Sequence, residues 1–170
     1  MENFKTKLTR VTTFIFDMDG VLTNGKIWVM PGHDPIRNLN SKDGYAFQLA
    51  AKKGYKIFLL SGGNSVAVKE ILLRAGFTNI YMSQHDKDAC YENILKEYGL
   101  KHEEVLYMGD DLPDHCVMKK VGVATCPADA ASEIKDICIY ISRKNGGDGC
   151  ARDIVEQVMR VNGHWEIGNW

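Results

Sequence analysis

The chain has 170 residues, 45% of them apolar and 25% charged, and its 21 Lys and Arg against 22 Asp and Glu leave a net charge of −1. That length suits one domain with a single core, and the even balance gives no electrostatic reason for a nucleic-acid or anionic-membrane partner. No apolar run approaches the roughly 20 residues that span a bilayer, and MENFKTKLTR lacks the apolar stretch of a secretory signal, so a cytoplasmic protein is expected.

In chain order, VTTFIF (Val11–Phe16) reads as a buried strand running into Asp17-Met18-Asp19-Gly20. KIWVM (Lys26–Met30), a PGHDP turn and IRNLN (Ile36–Asn40) read as a β-hairpin. Its Trp28, Val29 and Met30 have no obvious core to enter, and a two-stranded ribbon is marginal alone, so pairing with a second copy of the chain is expected. Gly44–Lys53 follows as a helix, then a strand at Tyr55–Leu60 ending in Ser61-Gly62-Gly63-Asn64, and a helix at Ser65–Ala75. Asn79–Met82 is a third strand, leading through SQHDK to Lys87 and a helix over Asp88–Tyr98. The fourth strand, Glu104–Gly109, runs into Asp110-Asp111, with Asp114 a short turn later. Pro113–Lys120 carries a weaker helical pattern. Val121–Thr125 and Cys138–Ser142 complete the strands, with helices at Ala128–Lys135 and Cys150–Val161.

Strand and helix in alternation imply a doubly wound α/β fold, a mostly parallel sheet covered on both faces. Residues 1–170 are expected to form one domain, with the hairpin an insertion at about 21–40 and a tail at about 162–170. The five cysteines are scattered, with no C-x-x-C pair and no histidine at zinc-ligand spacing, so reduced thiols are expected.

Ligands of open parallel sheets bind outside the carboxyl ends of the strands. Four consecutive ends here carry a D-x-D, a hydroxyl on a glycine turn, a lysine and an Asp-Asp pair. Each has an ordinary structural explanation: a solvated turn, a strand-to-helix turn, a surface cation, a helix cap. Their convergence on one crevice does not. Together they describe a phosphate site built on a divalent cation, since oxygen-only carboxylate ligands suit Mg²⁺. A bound cation offsets the repulsion between Asp17 and its neighbours, leaving Asp19 to carry a proton. Ser61 and the N–H groups after it, read as lying at a helix N-terminus, can cradle phosphate oxygens, and Lys87 adds positive charge.

These residues resemble the haloacid dehalogenase superfamily of phosphohydrolases: DMDGVLT matches its first motif, Ser61 its second, Lys87 its third and GDDLPD its fourth. KDGYAFQLAAKKG, PADAASEIKD and NGGDGCARD are similar to its small capless branch of 3-deoxy-D-manno-octulosonate 8-phosphate phosphatases, and the likeness runs from about Val11 to Val161. The resemblance implies that Asp17 is the nucleophile and forms an aspartyl-phosphate. It makes Asp19 the acid and base, and Asp17, the Asp19 carbonyl and Asp110 the Mg²⁺ ligands. Asp111 and Asp114 orient Lys87 or metal-bound water. It further implies a homotetramer joined through the hairpins, with NGGDGCARD and the tail approaching a neighbour's site and Arg152 contacting a substrate anion. Trp165 and Trp170 would pack on a partner or cover a sugar.

Relatives often carry a basic residue directly after the second-motif glycine, and some an acidic one, whereas this chain has Gly63 followed by Asn64. A nonulosonate 9-phosphate is therefore an alternative substrate. A receiver-type phosphoacceptor would place its aspartate on a middle strand rather than the first, and a non-catalytic assembly domain would have shed motif residues that are all present here.

Overall fold

The computed structural model describes residues 3–166. Six strands form one sheet: β1 (Thr13–Phe16), β2 (Lys56–Leu60), β3 (Asn79–Tyr81), β4 (Val105–Met108), β5 (Val123–Cys126) and β6 (Tyr140–Ile141). Every pairing is parallel, and the order is β3-β2-β1-β4-β5-β6. The chain winds outward from β1 to β3 and then returns to lay β4 against β1. That reversal opens a crevice at the carboxyl ends of β1 and β4.

The helices are α1 (Phe4–Leu8), α2 (Ser41–Lys52), α3 (Val66–Arg74), α4 (Lys87–Tyr98), α5 (His115–Met118), α6 (Ser132–Ile137) and α7 (Cys150–Val161). Alternation along the strands divides the core between two faces. Phe14, Phe16, Ile57, Leu59, Leu106 and Met108 point to the face covered by α2, α3 and α7. Ile15, Phe58, Leu60, Val105 and Tyr107 meet α4, α5 and α6 on the other.

Local chemistry explains most helix ends. Ser65 caps α3 by accepting from Val68 N–H, Asp86 caps α4 by accepting from Ala89 N–H, and Gly99 ends α4 in the left-handed conformation. Helix α7 begins after Gly149, which has no capping side chain, and borrows a cap from α2. Asp43 Oδ1 accepts the Arg152 N–H at 2.7 Å. Burial pushes this carboxyl up to about 6.

Several elements differ from expectation. Helix α1 was not expected; Asn3 caps it, Leu8 is buried, and Phe4 stacks on Tyr140 at 5.2 Å. The Pro113–Lys120 segment is a tight turn at Leu112–Asp114 followed by the four-residue α5. Helix α6 starts at Ser132 rather than Ala128, because the preceding turn is used to bring Asp129 Oδ1 to the Gly146 N–H at 2.9 Å. The hairpin shrinks to a single antiparallel bridge, Trp28 with Ile36, closed by two backbone hydrogen bonds of 3.1 Å. It touches no sheet strand edge as a ladder, and Trp28 and Val29 stay 67% and 81% exposed.

Candidate active site

The first strand delivers Asp17 into the crevice by continuing its ladder one residue further, with Asp17 N–H donating to the Met108 carbonyl at 3.0 Å. A wide turn over Met18–Leu22 then reverses the chain, closed by Thr23 N–H on the Met18 carbonyl. Gly20 sits in it at φ +89°, and a side chain there would run into the Asp110 carboxylate. Only glycine allows this turn to lie so close to the end of β4.

Asp17, Asp19, Ser61, Gly62, Gly63, Lys87, Asp110, Asp111 and Asp114 all line one crevice of about 360 Å³. Lys87, the first residue of α4, sends its Nζ to 2.9 Å from Asp17 Oδ1 and 2.7 Å from Asp114 Oδ1. Asp114 is further fixed by the Tyr107 hydroxyl at 2.6 Å and by the Asp110 N–H at 3.1 Å. Asp114 thus holds the Lys87 ammonium beside Asp17. Asp111 instead turns Oδ1 to the Leu112 N–H at 2.8 Å.

Carboxylate oxygens of Asp17, Asp110 and Asp114 all lie within 4.8 Å of one another. Burial, with Asp114 alongside, pushes Asp17 up to about 6. Burial and the charges of Asp17 and Asp114 push Asp110 up to about 7. For Lys87, burial alone would pull the ammonium down, but Asp114 and Asp17 outweigh it and hold the group above its ordinary value. One cation is too few for three clustered carboxylates, two buried and one half-buried. Asp17 Oδ1, although near Lys87, also receives no aligned hydrogen bond. An all-oxygen cluster with a single cation, and with one oxygen short of an aligned hydrogen bond, fits a hard divalent cation such as Mg²⁺.

The pH dependence follows with a definite sign. Folded values of about 6 and about 7 lie above the ordinary 3.8, so ionisation costs the folded state free energy. Without metal, these two groups favour the folded state most on the acid side, and their contribution falls as pH rises from 3.8 through about 7. Mg²⁺ binds the ionised form and opposes the loss, so it raises the melting temperature more at about pH 8 than at about pH 5.5. Thermal unfolding with and without Mg²⁺ at both pH values checks this; an equal shift at both contradicts it.

On the second strand, Ser61 is buried and its Oγ accepts the Gly63 N–H at 3.1 Å. Helix α3 begins only at Val66, so the Ser61 turn lies ahead of the helix N-terminus and not at it, which corrects the expected placement of that turn.

Three residues at or near the site were not anticipated. Tyr107 looked like one more apolar strand residue, although a buried tyrosine needs a partner for its hydroxyl. Asp43 acts at a distance through α7. Arg37, from the hairpin's return strand, holds Asp19 by a fork: Nε lies 2.8 Å from Oδ1 and Nη2 3.0 Å from Oδ2. Thr23 Oγ1 donates to Asp19 Oδ1 at 3.1 Å on the other side. Arg152, by contrast, is not brought to this crevice of its own chain. Its guanidinium lies over Tyr45 and Trp165, 5.6 and 5.4 Å from the ring centres, with Glu156 3.5 Å away. The glycine-rich NGGDG segment packs on the Met18–Leu22 turn of the same chain, with Gly147 N–H on the Val21 carbonyl at 2.9 Å. Trp165 packs edge-on against Tyr45, while Trp170 lies outside the described residues.

Comparison with known proteins gives a consistent set of likenesses. Residues 73–154 match the family model described as haloacid dehalogenase-like hydrolase. The chain is 29% identical over 157 residues to the 3-deoxy-D-manno-octulosonate 8-phosphate phosphatase of Escherichia coli K12, covering 92% of this chain and 84% of that one. Its fold superposes on a probable YrbI family phosphatase of Pseudomonas syringae with a TM-score of 0.91, at 30% identity over 94% of this chain and 91% of that one. The Yersinia pestis 3-deoxy-D-manno-octulosonate 8-phosphate phosphatase superposes equally well, TM-score 0.91, at 26% identity over 94% of this chain and 86% of that one.

Proposed function

Since the chain belongs to the haloacid dehalogenase-like hydrolases, we propose that it is a Mg²⁺-dependent phosphatase whose substrate is 3-deoxy-D-manno-octulosonate 8-phosphate. The carrying observation is Lys87 bridging Asp17 and Asp114 inside a crevice that gathers three carboxylates, those of Asp17 and Asp114 buried and that of Asp110 half-buried. The named activity of the E. coli and Y. pestis relatives supports the substrate.

In this reading Asp17 and Asp110, with the Asp19 carbonyl, hold Mg²⁺. The bound ion supplies charge that offsets the carboxylates and the transferring phosphoryl group. Ser61, Gly62, Gly63 and Lys87 hold the phosphate oxygens. A carboxylate of Asp17 attacks phosphorus, the bond to the sugar oxygen breaks, and Asp19 gives that oxygen a proton. Asp19, now ionised, takes a proton from the water that attacks the aspartyl-phosphate, releasing inorganic phosphate and restoring both aspartates. Most of the acceleration comes from positioning and charge stabilisation.

The test is the specificity constant for Mg²⁺-dependent phosphate release across a panel of the octulosonate 8-phosphate, a nonulosonate 9-phosphate and neutral sugar phosphates. The octulosonate ester is expected to lead; a lead by the nonulosonate ester overturns the substrate assignment.

The same reading takes residues 1–170 as one cytoplasmic phosphatase domain without a cap, assembled as a homotetramer through the hairpins. Among the described residues no helix is long and apolar enough to cross a membrane. Exposed Ile27, Trp28, Val29, Met30 and Ile36 on one minimal ribbon support the assembly, because such a patch is normally covered. Sedimentation is expected to give a tetramer that Trp28→Glu shifts to smaller species; a monodisperse wild-type monomer contradicts it.

A further inference from the structure

The Arg37 side chain is only 5% exposed, although it comes from an exposed hairpin. Its guanidinium spans two motifs: Nε and Nη2 grip both oxygens of Asp19, and Nη1 donates to the Asn64 carbonyl at 3.2 Å. The space it occupies exists because residue 63 has no side chain. A Cβ on Gly63 would stand 3.3 Å from Arg37 Nη2, 3.1 Å from Asp19 Oδ2 and 2.7 Å from Met18 Cε. A side chain at position 63 would crowd the Arg37 guanidinium, and with glycine there the cation at the mouth of this crevice comes from the hairpin.

The grip also conflicts with the proposed chemistry. Both Asp19 oxygens are engaged by Arg37, and Oδ1 by Thr23 as well, so a leaving sugar oxygen reaching that carboxylate from the crevice competes with the Arg37 fork for it. A planar guanidinium is built to hold one carboxylate through two parallel bonds, and a second carboxylate of equal geometry can take the first one's place. We propose that Arg37 is a substrate-specificity residue: it is parked on Asp19 in the free protein, and the carboxylate of a sugar-acid substrate exchanges with Asp19 in its fork. Binding of the acid group then frees Asp19 for the leaving oxygen. A phosphate ester without a carboxylate has nothing to offer Arg37 and leaves the grip in place. This inference rests on the sugar-acid phosphatase reading and gives it a physical basis in the chain's own residues.

The experiment compares kcat and KM for the octulosonate 8-phosphate and for p-nitrophenyl phosphate, which has no carboxylate, in the wild type, Arg37→Gln and Arg37→Lys. In Arg37→Gln the preference for the sugar acid, taken as the ratio of the two kcat/KM values, is expected to fall at least about tenfold, chiefly through KM. Arg37→Lys, which keeps a charge but loses the fork, falls in between and serves alone if the glutamine variant does not fold. A fall in the ratio below about threefold in Arg37→Lys, or below about tenfold in a folded Arg37→Gln, overturns the proposal. So does an equal loss on both substrates, which would make Arg37 only an orienting partner of Asp19. Absence of wild-type turnover on the sugar acid is a separate result and refutes the phosphatase assignment instead.

Discussion

Asp17→Asn lowers Mg²⁺-dependent phosphate release by about 10³-fold or more, because the amide keeps the shape of the carboxylate and loses its nucleophilicity. The fold should not suffer. Asp17 stands among Asp110 and Asp114 with Lys87 as the shared cation, and burial already makes its ionised form costly. Removing one negative charge therefore holds or raises the melting temperature of the metal-free protein near neutral pH. Rates and thermal unfolding on the same preparation separate the two effects. A variant that keeps more than about a tenth of the wild-type rate would place the nucleophile elsewhere.

Gly20→Ala is expected to damage both stability and activity. At φ +89° an L-residue costs about 1–2 kcal/mol in backbone strain. The new methyl group would also run into the Asp110 carboxylate, so either the nucleophile turn or Asp110 must move. A displacement near 1 Å of a positioned group costs on the order of 10²-fold in rate. Weakened Mg²⁺ dependence should accompany the loss, since Asp110 belongs to the carboxylate cluster. Steady-state rates over a Mg²⁺ titration, with melting curves, check this. Wild-type rate and wild-type Mg²⁺ dependence in the alanine variant would contradict the close approach of β4 to the turn.

The sheet was legible because its signals are local. Apolar β-branched runs such as VTTFIF and YKIFLL declare themselves as buried parallel strands, and each ends in the polar residues that face the crevice. Asp17, Asp19, Ser61, Lys87 and Asp110 could be brought together on paper because a doubly wound sheet aligns strand ends by topology alone. What sequence reasoning missed depends on contacts between distant segments. Arg37 reaches Asp19 from 18 residues away, through a hairpin whose course no periodicity reports. Tyr107 is spelled like a core residue, and only its buried hydroxyl on Asp114 reveals a second task. Asp43 serves a helix N-terminus more than 100 residues downstream, at Arg152. Arg152 itself could be marked as a basic residue in a glycine-rich segment, but its stacking on Tyr45 and Trp165 depends on Trp165 lying against Tyr45 of α2. Short elements were also misjudged. Strand propensity in KIWVM and IRNLN predicts a ladder, yet a single Trp28–Ile36 bridge is what forms.

The most direct test of the account is phosphate release from 3-deoxy-D-manno-octulosonate 8-phosphate by the wild-type chain, measured with Mg²⁺, after chelation, and beside Asp17→Asn. Turnover that chelation abolishes and Mg²⁺ restores, far above the variant, is the expected result. Release no faster than Asp17→Asn, or a rate untouched by removing the metal, would contradict it.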